Sequence, residues 1–498
     1  MLAADRDGYI ARHELWSERQ YAAAGQMRRV IDELGLELIR FSFADQHGVL
    51  RGKTLTRDAV PAALRSGVTA PSSLLLKDTS GKTVFPVFTA DTGVGVGGFA
   101  GAGDVVLVPD PTTFRVLPWA ERTGWILCDV HFPSGAAVPF CTRGLLRNRL
   151  DALAAAGYDL TVGVELEFHV YRAAEGMSAR HVGRPGAPGL PREVSPVSSG
   201  SQLLHEEGLD RLDDLVQLLH RGLTGLDLPL RSLELEFGPN QLELTLHARD
   251  AAQSADDVML ARAAVRQISR RHGYHATFMS RPAGAETAST GWHLHQSLRD
   301  RATGTPAFDP AATGTPAFDP AAAGDGANTP LSPLGRRYLG GLLEHARAAT
   351  VFTTPTVNGY KRYLPFSLAP DRVVWGADNK GAMVRAVGGP TGTRLENRSG
   401  EPAANPYLYI ASQIVSGMDG LARGLDPGPP VEDPYDVRAS GLPRSLAEAL
   451  DALDADPVFA RSLGEEVVSW YAALKRAEFA RYLAHVSDWE QREYFDLI

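Results

Sequence analysis

The sequence predicts an α+β protein in two units, a small mixed unit near the N-terminus and a larger one built on a sheet with one polar face. Three observations predict it. Residues up to about 115 alternate short strand-like and helix-like runs. Residues 163–168 (GVELEF) place Glu165 and Glu167 on one strand face, with Val164, Leu166 and Phe168 on the other. That arrangement recurs at residues 235–244 with Glu236 and Glu243, and at 292–298 with His293, His295 and Ser297. It recurs more loosely at 394–398, where Arg394, Glu396 and Arg398 alternate with Leu395 and Asn397. Several strands with ligand-type groups on one face read as a sheet whose concave side is a polar site and whose convex side is packed.

In order, residues 18–34 read as an amphipathic helix, 38–43 as a strand, 45–48 (DQHG) as a turn, and the chain then returns as a strand to about residue 55. A short helix is expected near 57–64, and short strands with a glycine-rich loop over 79–103. Strand 105–108 stops at Pro109-Asp110-Pro111, because neither proline can donate to a ladder. Residues 93–98 (GVGVGG) match GxGxxG formally, but they neither follow a clear strand nor open a helix, so they read as a glycine loop. The domains are set at 20–115 and 120–498, the second opening with a strand over 126–130. Helix 143–156, strand 158–171, a Gly/Pro/Ser-rich loop over 173–200 and helix 209–223 follow. Gly238-Pro239-Asn240 turns the Glu236 strand back into the Glu243 strand, and helix 252–272 comes next. Residues 302–311 and 312–321 are identical decapeptides (ATGTPAFDPA), a loop expansion rather than a structural repeat. Helices over 333–349 and 406–420 and a helical region over 446–486 complete the chain.

A chain of 498 residues with 44% hydrophobic and 22% charged residues can bury a large core without help. A net charge of −9 and no dense Lys/Arg stripe argue against nucleic acid as a partner. Two cysteines, Cys128 and Cys141, form neither a disulfide framework nor a zinc spacing and suit a reducing compartment. The start carries no secretory signal, and no stretch approaches the ~18 apolar residues of a membrane span. A cytoplasmic protein is expected.

Paired carboxylates repel, and burying them uncompensated costs on the order of several kcal/mol each. A hard divalent cation such as Mg²⁺ is the usual remedy. An isolated ExE is more often a wet strand face, and an isolated buried histidine is more often a hydrogen-bonded core residue. Recurrence in four runs shifts the odds on the first reading.

The ordered set of ExE, then Glu236 to Glu243 around Gly238-Pro239-Asn240-Gln241, then HxHxS, then Asn358-Gly359-Tyr360-Lys361-Arg362, then Arg394-Leu395-Glu396-Asn397-Arg398 resembles glutamine synthetase over nearly the whole chain. The resemblance implies a β-grasp-like N-terminal domain and a catalytic domain with a curved antiparallel sheet flanked by helices. It also implies homo-oligomerisation into hexameric rings, commonly stacked as a dodecamer, with active sites shared between neighbouring subunits. The implied chemistry activates a carboxylate with ATP as an acyl phosphate, from which an amine displaces phosphate.

By resemblance, two or more Mg²⁺ or Mn²⁺ ions would be held per subunit, one by Glu167, Glu236 and Glu243 and one by Glu165, His293 and Glu396. His295, Ser297, Lys380, Arg385 and Arg394 match nucleotide positions, and Gly291, Arg362 and Arg398 match substrate positions. Arg362, Lys380 and Arg398 are the implied catalytic cations.

The departures carry as much information. Ammonia users of this family place two acids at an ammonium pocket; the matching positions here are Ala70 and Leu368. An ammonium ion needs a nearby anion both to bind and to lose its proton. An organic amine that is already neutral needs none, and its apolar part can fill the space. Ala288 replaces an asparagine that orients glutamate, Lys380 replaces an arginine, Thr391 a lysine, and Arg231 an acid. The tyrosine adenylylated in some bacterial enzymes falls near Tyr435, in a poorly matched loop, so that regulation is not expected. The expected activity is an ATP-dependent acid–amine ligation, γ-glutamylation of an organic amine. A γ-glutamylpolyamine synthetase, an ordinary glutamine synthetase and an inactive ring-forming relative stay open as alternatives.

Overall fold

In a computed structural model, residues 7–176, 179–200, 202–283, 288–313, 329–364, 367–389 and 392–498 are described. The strand β1 (Leu38–Ala44) buries Ile39, Phe41 and Phe43 and pairs antiparallel with β2 (Leu50–Thr56). The tight turn between them is fixed by Asp45. Its carboxylate accepts from the amides of His47 and Val49, each at 2.9 Å, and from Arg51 Nε at 2.8 Å. β3 (Val68–Pro71), β4 (Asp104–Pro109), β5 (Arg115–Val116) and β6 (Thr123–His131) complete the first sheet, in the order β2-β1-β6-β4-β3 with β5 beside β6.

Two expectations change here. The strand expected to open the larger unit is β6, which lies between β1 and β4, so a boundary before residue 120 would cut this sheet. Its eight consecutive buried residues suit a central strand rather than the start of a new unit. Over 79–103 the chain forms turns, bends and a short 3-10 helix (Ala100–Ala102), with one isolated bridge from Lys77 to Thr83 and no strand. Glycine there offers no side chains to pack on a pleated surface.

The second sheet contains β7 (Tyr158–Ala173), β8 (Val194–Pro196), β9 (Leu230–Leu235), β10 (Gln241–Asp250), β11 (Tyr274–Thr277), β12 (Trp292–Asp300), β13 (Trp375–Ala377), β14 (Val384–Val387) and β15 (Arg394–Gly400). Its order is β13-β14-β15-β12-β7-β10-β9, with β8 and β11 also on β7. Every pair is antiparallel except β13–β14. Along β7, Leu160, Val162, Val164, Leu166, Phe168 and Val170 are buried on one side, and the helices Thr142–Ala155 and Ala251–Arg271 pack on that strand. The buried Arg143 joins the units through ion pairs to Asp110 (2.9 Å), Asp129 (3.3 Å) and Asp256 (2.7 Å).

The helix expected over 333–349 breaks at His345 into Pro333–Glu344 and Ala346–Thr353. The helical C-terminal region divides into Leu446–Ala455, Pro457–Leu463 and Glu465–Leu483, at Pro457 and Gly464. The His345 imidazole faces Asp456 at 2.6 Å and Asp419 at 2.8 Å. Burial works to lower its pKa, but the two carboxylates outweigh that and raise it. A folded value raised above the unfolded one gives stabilisation that is complete below the unfolded value of about 6.5 and lost as pH rises through the folded value. In denaturant titrations His345→Gln is therefore expected to cost about 3 kcal/mol at pH 6. The gap from the parent should narrow towards pH 9; a gap that stays constant with pH would refute this account.

Candidate active site

Strand register assembles the site. Across the sheet, Glu243 on β10 stands opposite Glu167 on β7, Glu165 opposite His293 on β12, His295 opposite Glu396 on β15, and Glu396 opposite Arg385 on β14. Cross-strand neighbours lie close enough to share a bound group. Gly163 stands opposite His295, whose Cβ lies 3.3 Å from where a side chain at 163 would begin. Glu236 lies one residue beyond β9, where its amide donates to Gln241 O (3.1 Å) and closes the Gly238-Pro239-Asn240 turn.

His293 Nδ1 is 3.2 Å from Glu165, Nε2 is 3.8 Å from Glu167, and Nδ1 is 3.8 Å from Glu396. Ligand-type atoms of Glu165, Glu243 and His293, and of Glu165, His295 and Glu396, lie within 4.8 Å of one another. These groups differ from the expected division into two sets: Glu165 belongs to both, and His295, expected at the nucleotide, stands 2.9 Å from Glu165.

The carboxylates split by their surroundings. Glu396 is fully buried, yet His293 and Arg398, with Arg385 at 2.8 Å, overcome burial and bring its pKa down to about 2. Glu165 is likewise lowered, its hydrogen bonds to His293 and His295 overcoming burial. Burial and then the charge of Glu236 push Glu167 up to about 7, although Gly291 N (3.0 Å) and Gln241 Nε2 (2.7 Å) donate to it. Burial and then Glu167, Glu165 and Glu236 push Glu243 up to about 9. Burial also raises Glu236. Among the described residues no lysine or arginine forms an ion pair with Glu167, Glu236 or Glu243. A carboxylate and imidazole donor set this close, short of positive charge on one side, fits a divalent cation.

Around this cluster lie the cations. Arg398 Nη1 reaches Glu396 at 2.5 Å. Arg362 is buried, and its Nη1 donates to Ser399 O and Gly400 O, each at 2.8 Å. Its Nη2 lies 2.8 Å from where a side chain at Gly291 would begin, and His293 Nε2 lies 3.2 Å from that point, so residue 291 has room only for hydrogen. The Nε atoms of Arg362 and Arg398 are buried and, among the described residues, find no acceptor. Arg385 bridges Glu396 and Asp378, and Arg394 Nε donates to His295 Nδ1 at 3.1 Å. Ser297 Oγ donates to Thr393 O at 3.0 Å. Lys380 is exposed, between β13 and β14, and its charge acts on Glu236. Thr391 and most of the second decapeptide copy lie outside the described residues.

Ala70 and Leu368 sit in different units of the chain. Ala70 is buried in β3, and Leu368 is 49% exposed on the loop after the turn Gly359–Arg362, with φ of 60°. Tyr435, half-buried, is near the Leu368 backbone, with Asp371 and Arg398 close by. Two site-face residues escaped the sequence reading. Glu234 stands opposite Glu243 in the β9–β10 register, and His169 continues the Glu165, Glu167 face, wholly buried. Period-two spacing pointed to both; neither fell within a recognised motif.

Residues 139–494 match the family model described as glutamine synthetase, catalytic domain. The chain is 43% identical to a γ-glutamylanilide synthase of Acinetobacter sp., covering 98% of this chain and 99% of that protein. It is 30% identical to a glutamine synthetase of Halobacterium salinarum, covering 94% and 96%. A solved complex of GmaS with ADP superposes with a TM-score of 0.76 at 28% identity, covering 94% of this chain and 99% of that one.

Proposed function

The chain belongs to the glutamine synthetase family, and from that premise we propose that it is an ATP-dependent ligase joining the γ-carboxylate of glutamate to an organic amine rather than to ammonia. One observation carries the choice of amine: an acid–histidine cluster of metal-ligand type coexists with Ala70 and Leu368 where an ammonium ion would need carboxylates. The name of the anilide synthase relative agrees with it. An aromatic amine is neutral at pH 7 and can attack without a base to charge-match it.

Glu165, Glu167, Glu236, Glu243, His293 and Glu396 would hold divalent cations, which neutralise the crowded phosphate and carboxylate oxygens. Arg362 and Arg398 would grip the acid's carboxylates, a task suited to planar guanidinium groups. Lys380, Arg385 and Arg394, with His295 and Ser297, face the nucleotide. Gly291 keeps the approach to Arg362 open. The acid's oxygen attacks the γ-phosphorus and ADP leaves. The amine nitrogen then attacks the acyl carbon, phosphate leaves, and the nitrogen loses its proton to give the amide.

The test is a panel of anilines, alkylamines, putrescine and ammonia with glutamate, ATP and Mg²⁺, read by phosphate release and product mass. Organic amines are expected to exceed ammonia by at least ~10²-fold in kcat/KM, the scale of one lost charge-assisted hydrogen bond. Robust turnover with ammonia alone would overturn the proposal. An inactive scaffold would bind no ATP in the presence of Mg²⁺.

We propose further that the chain forms hexameric rings stacked in pairs, with Ala70 brought to Leu368 of a neighbouring subunit. Leu483, Val486, Trp489, Phe495, Leu497 and Ile498 expose an apolar C-terminal surface that supports contact between copies. Deleting residues 485–498 is expected to halve the assembly mass by light scattering while amide formation persists; an unchanged mass would remove the C-terminus from the ring–ring contact.

A further inference from the structure

On the packed side of the second sheet is a cavity of about 520 Å³ that the ligase reading does not use. It lies between the β1–β2 turn, the helix Ala251–Arg271 and β11. Its lining carries Arg192, Arg262, Arg266, Arg270, Lys475 and two histidines, and no aspartate or glutamate, in a chain whose net charge is −9. Arg262 is tied to the carbonyls of Pro402 (2.9 Å) and Ala404 (2.7 Å), and Lys475 to Glu478 (3.0 Å). Arg192, Arg266 and Arg270 have no such partner among the described residues.

Arg262, Arg266 and Arg270 fall at i, i+4 and i+8 on one helix face, where like charges repel. Favourable interaction with the helix dipole accounts for Arg270 and Arg271 in the last turn, but not for Arg266 or for Arg192 from a different loop. After burial, Arg270 depresses the pKa of Arg266, and Arg266 and Arg192 depress that of His275, as expected of cations crowded without a counter-charge. The apolar walls come from Met259, Tyr274, Phe278 and Met279.

We propose that this cavity binds a small polyanion carrying two or more carboxylate or phosphate groups on a short apolar frame. The three unpartnered guanidinium groups grip the anionic ends, and the apolar walls cover the frame. The site also has a route to the chemistry. Thr356 lines the cavity and bonds Glu401 through its amide (2.7 Å) and hydroxyl (2.8 Å). Glu401 accepts from Ser280 Oγ (2.6 Å), whose carbonyl accepts from Thr290 (3.2 Å), the neighbour of Gly291. These hydrogen bonds connect the cavity wall to the neighbour of Gly291.

The test is isothermal titration of the full-length assembly, free of nucleotide and at fixed ionic strength. Tricarballylate and propane-1,3-diyl bisphosphate are the probes, with acetate as the monoanion control. Saturable binding of a polyanion is expected, weakened at least tenfold in Arg266→Ala/Arg270→Ala and unchanged in Lys380→Ala, with amide formation by the double variant unchanged when neither probe is added. Which of the two probes binds tells carboxylate from phosphate chemistry. Absence of saturable binding to the intact assembly, or binding lost only in Lys380→Ala, overturns the proposal, whatever the amine panel gives.

Discussion

Leu368→Glu is expected to convert the enzyme towards ammonia, with ammonia-dependent turnover rising at least tenfold and organic-amine kcat/KM falling by about 10²-fold. A carboxylate at this position gives an ammonium ion an anion to bind and a proton acceptor, and a charge-assisted hydrogen bond contributes about 1.5–3 kcal/mol. The same carboxylate would strip favourable apolar contact from an organic amine. Position 368 tolerates the change, because Leu368 is half exposed and already at φ of 60°, so glutamate adds no new backbone strain. Ala70→Asp alone is a poorer probe, since Ala70 is buried within its own subunit and an aspartate there would lose hydration before any substrate arrived. Parallel amine and ammonia assays decide it: a variant with the parent's amine preference would place Leu368 outside the amine pocket.

The sheet that carries the site was legible because its strands alternate. Glu165, Glu167, His293, His295 and Glu396 occupy the face that period two assigned them, and the apolar residues between them are buried. Pairing was not legible, and pairing decides which side chains meet. That His295 faces Glu396, and that both stand near Glu165, follows from the β12–β15 and β12–β7 registers, which no local pattern encodes. The place of β6 in the first sheet was missed for the same reason: a continuously apolar run announces a buried strand but not its neighbours. The break at His345 was invisible because no proline or glycine marks it, and the two aspartates that its ring faces, Asp419 and Asp456, are distant in sequence. The cationic cavity had one sequence trace, the Arg262, Arg266, Arg270 stripe, which gains meaning only when Arg192 and β11 fold against it.

Glu243→Gln is expected to abolish turnover, by at least ~10³-fold, and to remove most of the stabilisation that divalent cations give. The loss of rate is expected because the variant lacks a carboxylate that would help hold a divalent cation, whose charge would be worth several kcal/mol in phosphoryl transfer. The stability effect has a separate origin. Burial and three neighbouring carboxylates hold Glu243 at a pKa of about 9 against an unfolded value of 4.5, and Glu167 is at about 7. Between the unfolded and folded values the folded state binds more protons, so without cations the parent loses stability as pH rises from about 5 to 9. Glutamine mimics the protonated carboxyl, so the variant should lose less over that range and be the more stable protein at pH 8. Adding Mg²⁺ at 100 times its dissociation constant should stabilise the parent by about 2.7 kcal/mol and the variant far less, so the order of melting temperatures inverts. The two acids titrate as a coupled pair, so the readout is the crossing of the two proteins' stabilities rather than one midpoint. Because cation binding must displace the shared protons, it should release them near neutral pH and tighten as pH rises from 6 to 9. Melting curves for both proteins at pH 6 and 8, with and without Mg²⁺, suffice; a parent indifferent to the ion at both pH values would dissolve the metal assignment and the phosphoryl-transfer chemistry built on it.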